Sequence, residues 1–254
     1  MRFEFGKNWG RFIKSLDSNK VEIAEKSLKD VLKINIFNNL KFIDIGSGSG
    51  LTSLAAVKLG ASVTSFDYDH HSVECTQKLK DTFFPEFKEW NIEQGSILDD
   101  DYVSSLGGFD IVVSWGVLHH TGNMWKALEN ASRLTKSNGV LYLALYNDQG
   151  WISLYWKWVK ILFNYHPVGK FFMIIMHYPY LVLAPYFIRR LTKRGVNDRG
   201  MMLWYDLIDW VGGYPFEVAS IEQVVDFFSG EYELVNLIDV GTRHGCNEFV
   251  FKKK

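Results

Sequence analysis

The stretch Lys41-Phe-Ile-Asp-Ile-Gly-Ser-Gly-Ser-Gly50 constrains the fold of this 254-residue chain more than any other feature. It predicts a buried strand that runs into a glycine-rich turn, followed by a helix from Leu51 to Leu59. The glycines of the turn are Gly46, Gly48 and Gly50. Glycine lets the backbone turn sharply and approach a ligand with no Cβ in the way, and the first N–H groups of the helix can bind that ligand. The stretch therefore predicts a nucleotide-type site.

The spacing of the glycines narrows the class of nucleotide. A dinucleotide fingerprint, G-x-G-x-x-G, needs its third glycine where Leu51 stands. The pattern D-x-G-x-G-x-G from Asp44 to Gly50 instead resembles motif I of the class I S-adenosylmethionine (SAM)-dependent methyltransferases. The resemblance implies that SAM is the cofactor, that Ser47 and the three glycines bind it, and that Asp44 helps to hold its methionine end. The alternative is a glycine turn in an unrelated α/β domain.

A second strand, Ala61 to Asp67, ends in an acid that suits the ribose of SAM. Asp67 lies 21 residues after Gly46, close to the ~20-residue spacing at which a ribose-binding acid follows a glycine turn. A carboxylate at this place can accept hydrogen bonds from both ribose hydroxyls. Tyr68 can flank the adenine, whereas Asp69 is expected to cap the next helix.

The other predicted cofactor contacts come from three separate segments. Members of the family place adenine against the loop after the third strand, and the matching residues here are Gly95, Ser96 and Ile97. The resemblance adds Trp115 at the end of the fourth strand. The N-terminal segment, residues 1–19, closes over SAM in many similar enzymes, which makes Trp9 a candidate. The alternative for this segment is a hydrophobic staple onto the domain.

The rest of the chain supplies the remaining strands. Phe109 to Trp115 is apolar enough to be buried on both faces. A helix from Met124 to Leu134 is predicted after it, with the pair Asn138-Gly139 as its C-cap. A fifth strand follows, and a capping box at Ser220 begins the last helix, before two antiparallel strands. The resemblance thus predicts an α/β fold with a doubly wound, mostly parallel seven-stranded sheet of the Rossmann-like methyltransferase type.

Between strands five and six the sequence predicts an aromatic-rich helical insertion, residues 147–216. The core would then comprise residues 20–146 and 217–254, the latter forming the last helix and a terminal strand hairpin. Of all residues 16% are aromatic, and they crowd into the insertion. Residues 171–188 are long enough to span a membrane, but a span there would separate strand five from strand six, so we reject it. The open alternatives are a lid over the substrate pocket, a homodimer surface and peripheral membrane contact.

Two histidines carry the predicted chemistry. Transfer of a methyl group from a sulfonium requires the nucleophile to be held in line and water to be excluded, and a hydroxyl acceptor needs a base, for which imidazole is suited. The segment with His119 and His120 resembles the motif after strand four in the small-molecule branch that includes the ubiquinone O-methylases. Two adjacent histidines cannot both point into the site, so we predict His120 as the base, with His119 supporting it and Tyr146 a lesser candidate. The alternative is that both histidines only cap the next helix.

Substrate contacts are predicted in the insertion and in the last turn: Arg199, Trp204, Tyr205, Tyr214, Arg243 and His244. The basic cluster from Arg189 to Arg199 can form an anion-binding wall, or it can be a solvated helix end.

Composition excludes several classes of partner. A net charge of -1 gives no reason to expect nucleic acid, and two cysteines without C-x-x-C spacing indicate neither a disulfide framework nor a zinc site. No carboxylate cluster suggests a metal. Without a secretory signal, a cytoplasmic enzyme is expected, with membrane association as an option.

The favoured hypothesis is a SAM-dependent O-methyltransferase acting on a small molecule, such as a phosphate- or sugar-linked precursor of a surface polysaccharide. A lipid or quinone O-methyltransferase at the membrane surface and a non-catalytic SAM-binding subunit of a heteromer are the alternatives.

Overall fold

The computed structural model describes residues 3, 6, 16, 18–165, 167–184, 186 and 203–254, with the backbone alone at residues 18 and 203–206. A single sheet organises this part of the chain. Its strands are β1 (Lys41–Ile45), β2 (Ser62–Asp67), β3 (Trp90–Gln94), β4 (Phe109–Trp115), β5 (Thr135–Tyr146), β6 (Tyr232–Ile238) and β7 (Cys246–Lys253). They lie in the order β3-β2-β1-β4-β5-β7-β6.

The first five strands are parallel, and β7 runs antiparallel to both β5 and β6. The predicted fold class is therefore confirmed, including the antiparallel pair of strands at the end of the chain. The centre of the sheet is buried on both faces, as the nearly continuous apolar runs of β1 and β4 require.

Helices cover both faces of the sheet. Those of the core are α1 (Ser18–Leu32), α2 (Leu51–Lys58), α3 (His70–Phe83), α4 (Asp100–Leu106), α5 (Met124–Leu134) and α9 (Ile221–Phe228). One apolar cluster joins α1, α2 and α3 to one face, and a second joins α5 and α9 to the other. Helix α9 begins with the predicted capping box of Ser220 and Gln223.

The predicted bounds of the helix after β4, Met124 to Leu134, are confirmed, but the prediction that the pair Asn138-Gly139 caps its end is wrong. Helix α5 ends at Leu134, and both residues lie within β5, where the register against β4 shifts. Asn138 has a φ of 59°, and a Cβ on Gly139 would lie 2.8 Å from the carbonyl oxygen of Lys136. The signal of a left-handed turn was correct, but the turn is an irregularity inside the strand.

Between β5 and β6 the chain forms helices α6 (Trp151–Tyr165), α7 (Pro167–Tyr178) and α8 (Leu203–Gly212), with a π-helical turn (Pro179–Leu183) after α7. Their inner faces form a third apolar cluster, which also contacts Tyr146 at the end of β5. Of the helices that the structure describes, none combines the length and the apolar character that crossing a bilayer requires. The insertion therefore packs on the edge of the sheet where β5 ends.

Candidate active site

A cleft opens where β1, β2 and β3 end. The strand order reverses between β1 and β4, and open α/β sheets bind ligands at such a switch point. Six of the predicted cofactor residues line the cleft: Gly46, Asp67, Tyr68, Gly95, Ser96 and Ile97. The loop after β4 adds Val117 and Thr121, which sequence reasoning did not single out.

The glycine turn is left-handed at all three glycines, with φ of 76° at Gly46, 55° at Gly48 and 79° at Gly50. A Cβ on Gly46 would lie 2.4 Å from the side chain of Val117, and one on Gly50 would lie 2.9 Å from Thr76. At these two positions, the prediction that the missing Cβ atoms make room for a ligand is wrong. The room is taken by the loop after β4 and by helix α3.

Asp67 stands at the end of β2 with both carboxylate oxygens oriented by backbone N–H groups. One oxygen accepts a hydrogen bond from Gly48 at 3.0 Å, and the other accepts one from Asp69 at 2.9 Å. A carboxylate offers about four acceptor sites, and these two bonds fix the orientation of this one. Asp69 caps α3 by accepting from the N–H of His71 at 2.9 Å, as predicted.

The predicted adenine side of the cleft is formed by Tyr68, which is 56% exposed, and by the loop after β3. Ile97 is buried and presents an apolar wall. Ser96 accepts a hydrogen bond from the N–H two residues further on, at 3.2 Å. A Cβ on Gly95 would lie 2.2 Å from the ring of Tyr102, so this glycine too is required by packing within the protein.

Asp44 lies inside the sheet and outside the cleft lining. It is 3% exposed and ends a buried chain of hydrogen bonds. The indole of Trp90 donates to Ser65 at 2.8 Å, Ser65 donates to Ser53 at 2.7 Å, and Ser53 donates to Asp44 at 2.6 Å. Burial raises the pKa of Asp44 to about 6, the hydrogen bond from Ser53 opposes this shift, and the charge of Asp67 adds to it. Its contact with the methionine end of SAM stays a prediction.

Two further cofactor candidates also contact protein groups. The hydroxyl of Ser47 lies 3.0 Å from that of Thr76. Trp115 is half-buried and packs against the apolar cluster under α1, α2 and α3. Neither side chain belongs to the cleft lining, so any contact of Ser47 with SAM would come from its backbone.

The N-terminal segment reaches the cofactor side of the domain. Trp9 lies outside the described residues. Gly6 donates its N–H to the carboxylate of Asp69 at 2.9 Å, and its carbonyl lies 4.0 Å from the sulfur of Cys75. These contacts hold part of the segment against the start of α3, and its function as a lid stays a prediction.

The loop after β4 fixes the orientation of His120. The residue lies in a short 3₁₀ helix (Leu118–His120) and is 5% exposed. Its Nδ1 is 2.6 Å from the carbonyl oxygen of Pro215. Because a carbonyl can only accept, Nδ1 carries the proton in this bond, and the lone pair of the neutral ring is on Nε2.

His119 is held in the opposite tautomer. It is fully buried, and its Nδ1 accepts from the N–H of Tyr146 at 3.3 Å, which leaves the proton on Nε2. Burial lowers the pKa of His119 well below its usual range, and the nearby His120 and Lys160 lower it further. The ring of His119 stays neutral, and its lone pair already accepts a hydrogen bond. This supports the choice of His120, rather than His119, as the base.

The alternative in which both histidines cap the next helix is wrong. The first N–H of α5, at Met124, donates to both carboxylate oxygens of Glu217 at 3.2 and 3.1 Å. The N–H of Glu217 in turn donates to the carbonyl of His119 at 3.0 Å. Glu217 therefore caps the helix and ties the end of the insertion to the histidine loop.

Tyr146 is the centre of an aromatic box, which we define as Tyr146, His119, His120, Trp210 and Phe216. Its ring lies 3.9 Å from that of His119, 5.3 Å from that of His120, 5.4 Å from that of Trp210 and 5.3 Å from that of Phe216, measured between centroids. The box joins the ends of β4 and β5 to the insertion.

Lys160 lies against this box, and sequence reasoning did not single it out. Its side chain is fully buried, donates to the carbonyl of Trp210, and has Nζ 4.8 Å from the ring centroid of Phe216 and 5.0 Å from that of Trp210. Burial lowers its pKa to about 7, against a raising effect of Asp209. The spacing of the buried Trp156, four residues earlier on α6, was the signal that places position 160 on the inner face.

The predicted substrate residues fall in different places. His244 contacts the insertion, with ring centroids 5.7 Å from Trp156 and 5.5 Å from Trp210. Tyr214 is half-buried against Tyr165 at 5.9 Å, and Arg243 is exposed. Arg199 and the basic cluster around it lie outside the described residues. For Trp204 and Tyr205 only the backbone is described.

Comparisons with known proteins agree with the fold and the cleft. A family model described as a methyltransferase domain matches residues 43–141. The ubiquinone biosynthesis O-methyltransferase of Pelagibacter ubique is 25% identical over 139 residues, which cover 54% of this chain and 52% of that protein. The protein of the same description from Glaesserella parasuis is 22% identical over 82% of this chain and 87% of its own. The chain spans about half the length of the first curated relatives it matches.

A solved structure extends the comparison to the whole fold. The magnesium protoporphyrin IX methyltransferase from Synechocystis, with bound SAH (S-adenosylhomocysteine), superposes with a TM-score of 0.55 over 93% of this chain and 84% of its own, at 10% identity. The sheet order, the glycine turn and the matched residues make this chain similar to the class I SAM-dependent methyltransferases. The two relatives named above are described as O-methyltransferases. The predicted resemblance is confirmed, and with it SAM as the cofactor of the family that the chain resembles.

Proposed function

We propose that this chain is a SAM-dependent O-methyltransferase that acts on a small-molecule acceptor bound between the cofactor cleft and the aromatic box. The hydrogen bond from His120 Nδ1 to Pro215 supports this proposal most directly, because it leaves Nε2 as the proton-accepting atom. A hydroxyl acceptor has a proton to lose as it attacks, so a base held in this tautomer favours O-methylation.

The residues of the cleft fit the cofactor. Asp67 offers ribose an oriented carboxylate, and Ile97 with Tyr68 offers adenine an apolar face. When bound, SAM supplies an electrophilic methyl carbon on a sulfonium. His120 Nε2 takes the proton of the acceptor hydroxyl as the oxygen–carbon bond forms and the sulfur–methyl bond breaks. The aromatic box and the insertion exclude water from this step.

Substitution of His120 by Ala tests the assignment of the base. We expect turnover to fall by about 10²–10⁴-fold, with SAM affinity unchanged because His120 is not part of the cleft lining. Release of SAH is measured over a panel of phenolic, sugar and lipid acceptors, and SAM affinity by calorimetry. Replacement of His70, an exposed histidine at the start of α3, is the matched control.

Full activity of the His120→Ala variant would remove His120 as the base. If the wild-type chain turns over no acceptor and forms a complex with a related chain, the non-catalytic SAM-binding subunit becomes the better hypothesis. An acceptor with a phosphate- or sugar-linked group stays a prediction from sequence, since the basic cluster lies outside the described residues.

A second candidate function, a lipid or quinone O-methyltransferase at the membrane surface, is favoured by the outer face of the insertion. Large apolar side chains on α6 and α7 are exposed, among them Trp151 (77%), Trp158 (58%), Phe171 (67%) and Phe172 (61%). Residues 149–197 contain no Asp or Glu. They contain seven basic residues: Lys157, Lys160, Lys170, Arg189, Arg190, Lys193 and Arg194. Aromatic and basic side chains without acids suit an anionic bilayer surface.

Flotation with liposomes tests this second candidate. We expect the wild-type chain to float with anionic vesicles and the Trp158→Glu/Phe171→Glu variant to remain at the bottom. Ile36→Glu is the control, because Ile36 is 70% exposed outside the insertion. A wild-type chain that does not float contradicts the membrane interpretation. If the double variant instead converts a dimer to a monomer in light scattering, the face is the predicted homodimer surface.

A further inference from the structure

Three buried hydrogen-bond donors surround the ring of Tyr146. Lys160 Nζ lies 6.0 Å from its centroid, and His119 and Trp210 pack against it. His119 Nε2 and the indole nitrogen of Trp210 are buried without a hydrogen-bond partner among the described residues. An unsatisfied buried donor costs about 1–3 kcal/mol, so two of them beside a buried amine call for an explanation.

This cluster contains more hydrogen-bond donors than acceptors. His119 Nε2 carries the ring proton, because Nδ1 accepts from Tyr146, and an indole nitrogen can only donate. Lys160 has three donors in its charged form, and the carbonyl of Trp210 takes one. Asp209 is the carboxylate that acts on Lys160 electrostatically, and no ion pair joins Lys160 to a carboxylate among the described residues. The group that would complement this cluster is a negatively charged hydrogen-bond acceptor.

We propose that Lys160, His119 and Trp210 form a binding subsite for an oxyanion carried on a flat apolar ring, and thus that the acceptor is an aromatic carboxylate. The inference rests on the proposed function for the statement that this ligand is the methyl acceptor. The rings of Phe216 and Trp210 provide faces against which a flat ligand packs. Because Lys160 is fully buried, the anion must displace one of these aromatic neighbours as it enters.

The position of the subsite fits an acceptor. The subsite includes His119, which is adjacent to His120 in the sequence. The ring centroids of the two histidines lie 4.5 Å apart. An oxyanion held at Lys160 therefore places the rest of an aromatic ligand beside the base. The subsite would select anionic over neutral ligands of the same shape, since the charge of the amine has little other compensation.

The test uses benzoate and benzamide, which have nearly the same shape and differ in charge. Binding of each is measured by ligand-observed NMR to the full chain saturated with SAH. We expect the wild-type chain to bind benzoate at least about tenfold more tightly than benzamide, as for one charge-assisted hydrogen bond. Lys160→Met should abolish this preference, and Lys157→Met, an exposed lysine on the same helix, should retain it.

Equal binding of the two ligands by the wild-type chain, or an unchanged preference in Lys160→Met, would overturn the proposal. Calorimetry at pH 8 in buffers of different ionisation enthalpy gives a second measurement that needs no variant. Benzoate should bind with uptake of a large fraction of a proton, because an anion favours the charged amine, and binding without uptake contradicts the proposal. A preference for benzoate without turnover of any acceptor would sink the proposed function alone, and turnover without the preference would sink the subsite alone.

Discussion

Burial of the Lys160 amine costs folding free energy. Its replacement by Met should therefore change how stability depends on pH. The amine is fully buried among aromatic rings, and burial lowers its pKa from 10.5 to about 7. The unfolded chain therefore binds more protons than the folded chain between pH 7 and about pH 10.5. The contribution of Lys160 to stability therefore rises with pH over this window, and the full cost of its buried charge is present below it.

The size of the effect follows from the shift. Each pH unit within the window changes the free energy of unfolding by at most about 1.4 kcal/mol. Because the folded-state amine is half-protonated at pH 7, the gain from pH 7 to pH 9 is on the order of 2 kcal/mol. Lys160→Met lacks this gain. It also leaves the carbonyl of Trp210 without its donor, which costs about 1 kcal/mol at every pH and does not alter the slope.

The assay is urea unfolding of the wild-type and Lys160→Met chains at pH 7, 8 and 9. The difference in stability between the two should shift toward the wild type by roughly 2 kcal/mol across this range. His119 and His244 do not interfere, because their lowered pKa values act below pH 6.5. Lys157→Met should follow the wild-type profile. Parallel profiles for wild type and Lys160→Met, within about 0.5 kcal/mol, would refute the argument that Lys160 is buried.

Three other substitutions probe the site. Asp67→Ala should weaken SAM binding at least about tenfold, since it removes the oriented ribose acceptor; unchanged affinity in calorimetry refutes that assignment. Gly46→Ala should destabilise the fold even without cofactor, because its Cβ would overlap the side chain of Val117 and its φ is positive, and restored stability in Gly46→Ala/Val117→Ala would identify this contact as the cause. Glu217→Gln should lower the melting temperature by a few degrees, as for the loss of a charged helix cap worth about 1 kcal/mol; an unchanged melting temperature would show that Met124 finds another acceptor.

The core of the fold was predictable because its signals are local. The glycine turn follows its strand directly, the acid of β2 is at a fixed distance along the chain, and the apolar run of β4 indicates burial on both faces. The pair Asn138-Gly139 was wrongly predicted to cap a helix, and this shows the limit of local signals. A left-handed turn is encoded locally, but whether it ends a helix or interrupts a strand depends on pairing with β4 and β7.

The acceptor side was only partly predictable because its contacts are distant in sequence. Adjacent histidines can be recognised as a pair, but the choice between them depends on the carbonyl of Pro215, 95 residues beyond His120. The sequence places Lys160 on an apolar helix, whereas its burial requires Trp210 and Phe216 to pack over it. The spacing from Trp156 indicates the face of α6 on which Lys160 lies, but not which residues cover it.

Under the proposed function, the short segment from Tyr214 to Glu217 would make acceptor choice and catalysis inseparable in this scaffold. Pro215 sets the tautomer of His120, Phe216 closes the aromatic box, and Glu217 holds the first turn of α5. An insertion exchanged with that of a relative, to change what the enzyme methylates, would carry these functions away if the junction were placed after residue 217. Chimaeras should therefore be joined before Tyr214, and natural variation in the insertion should stop at the same boundary.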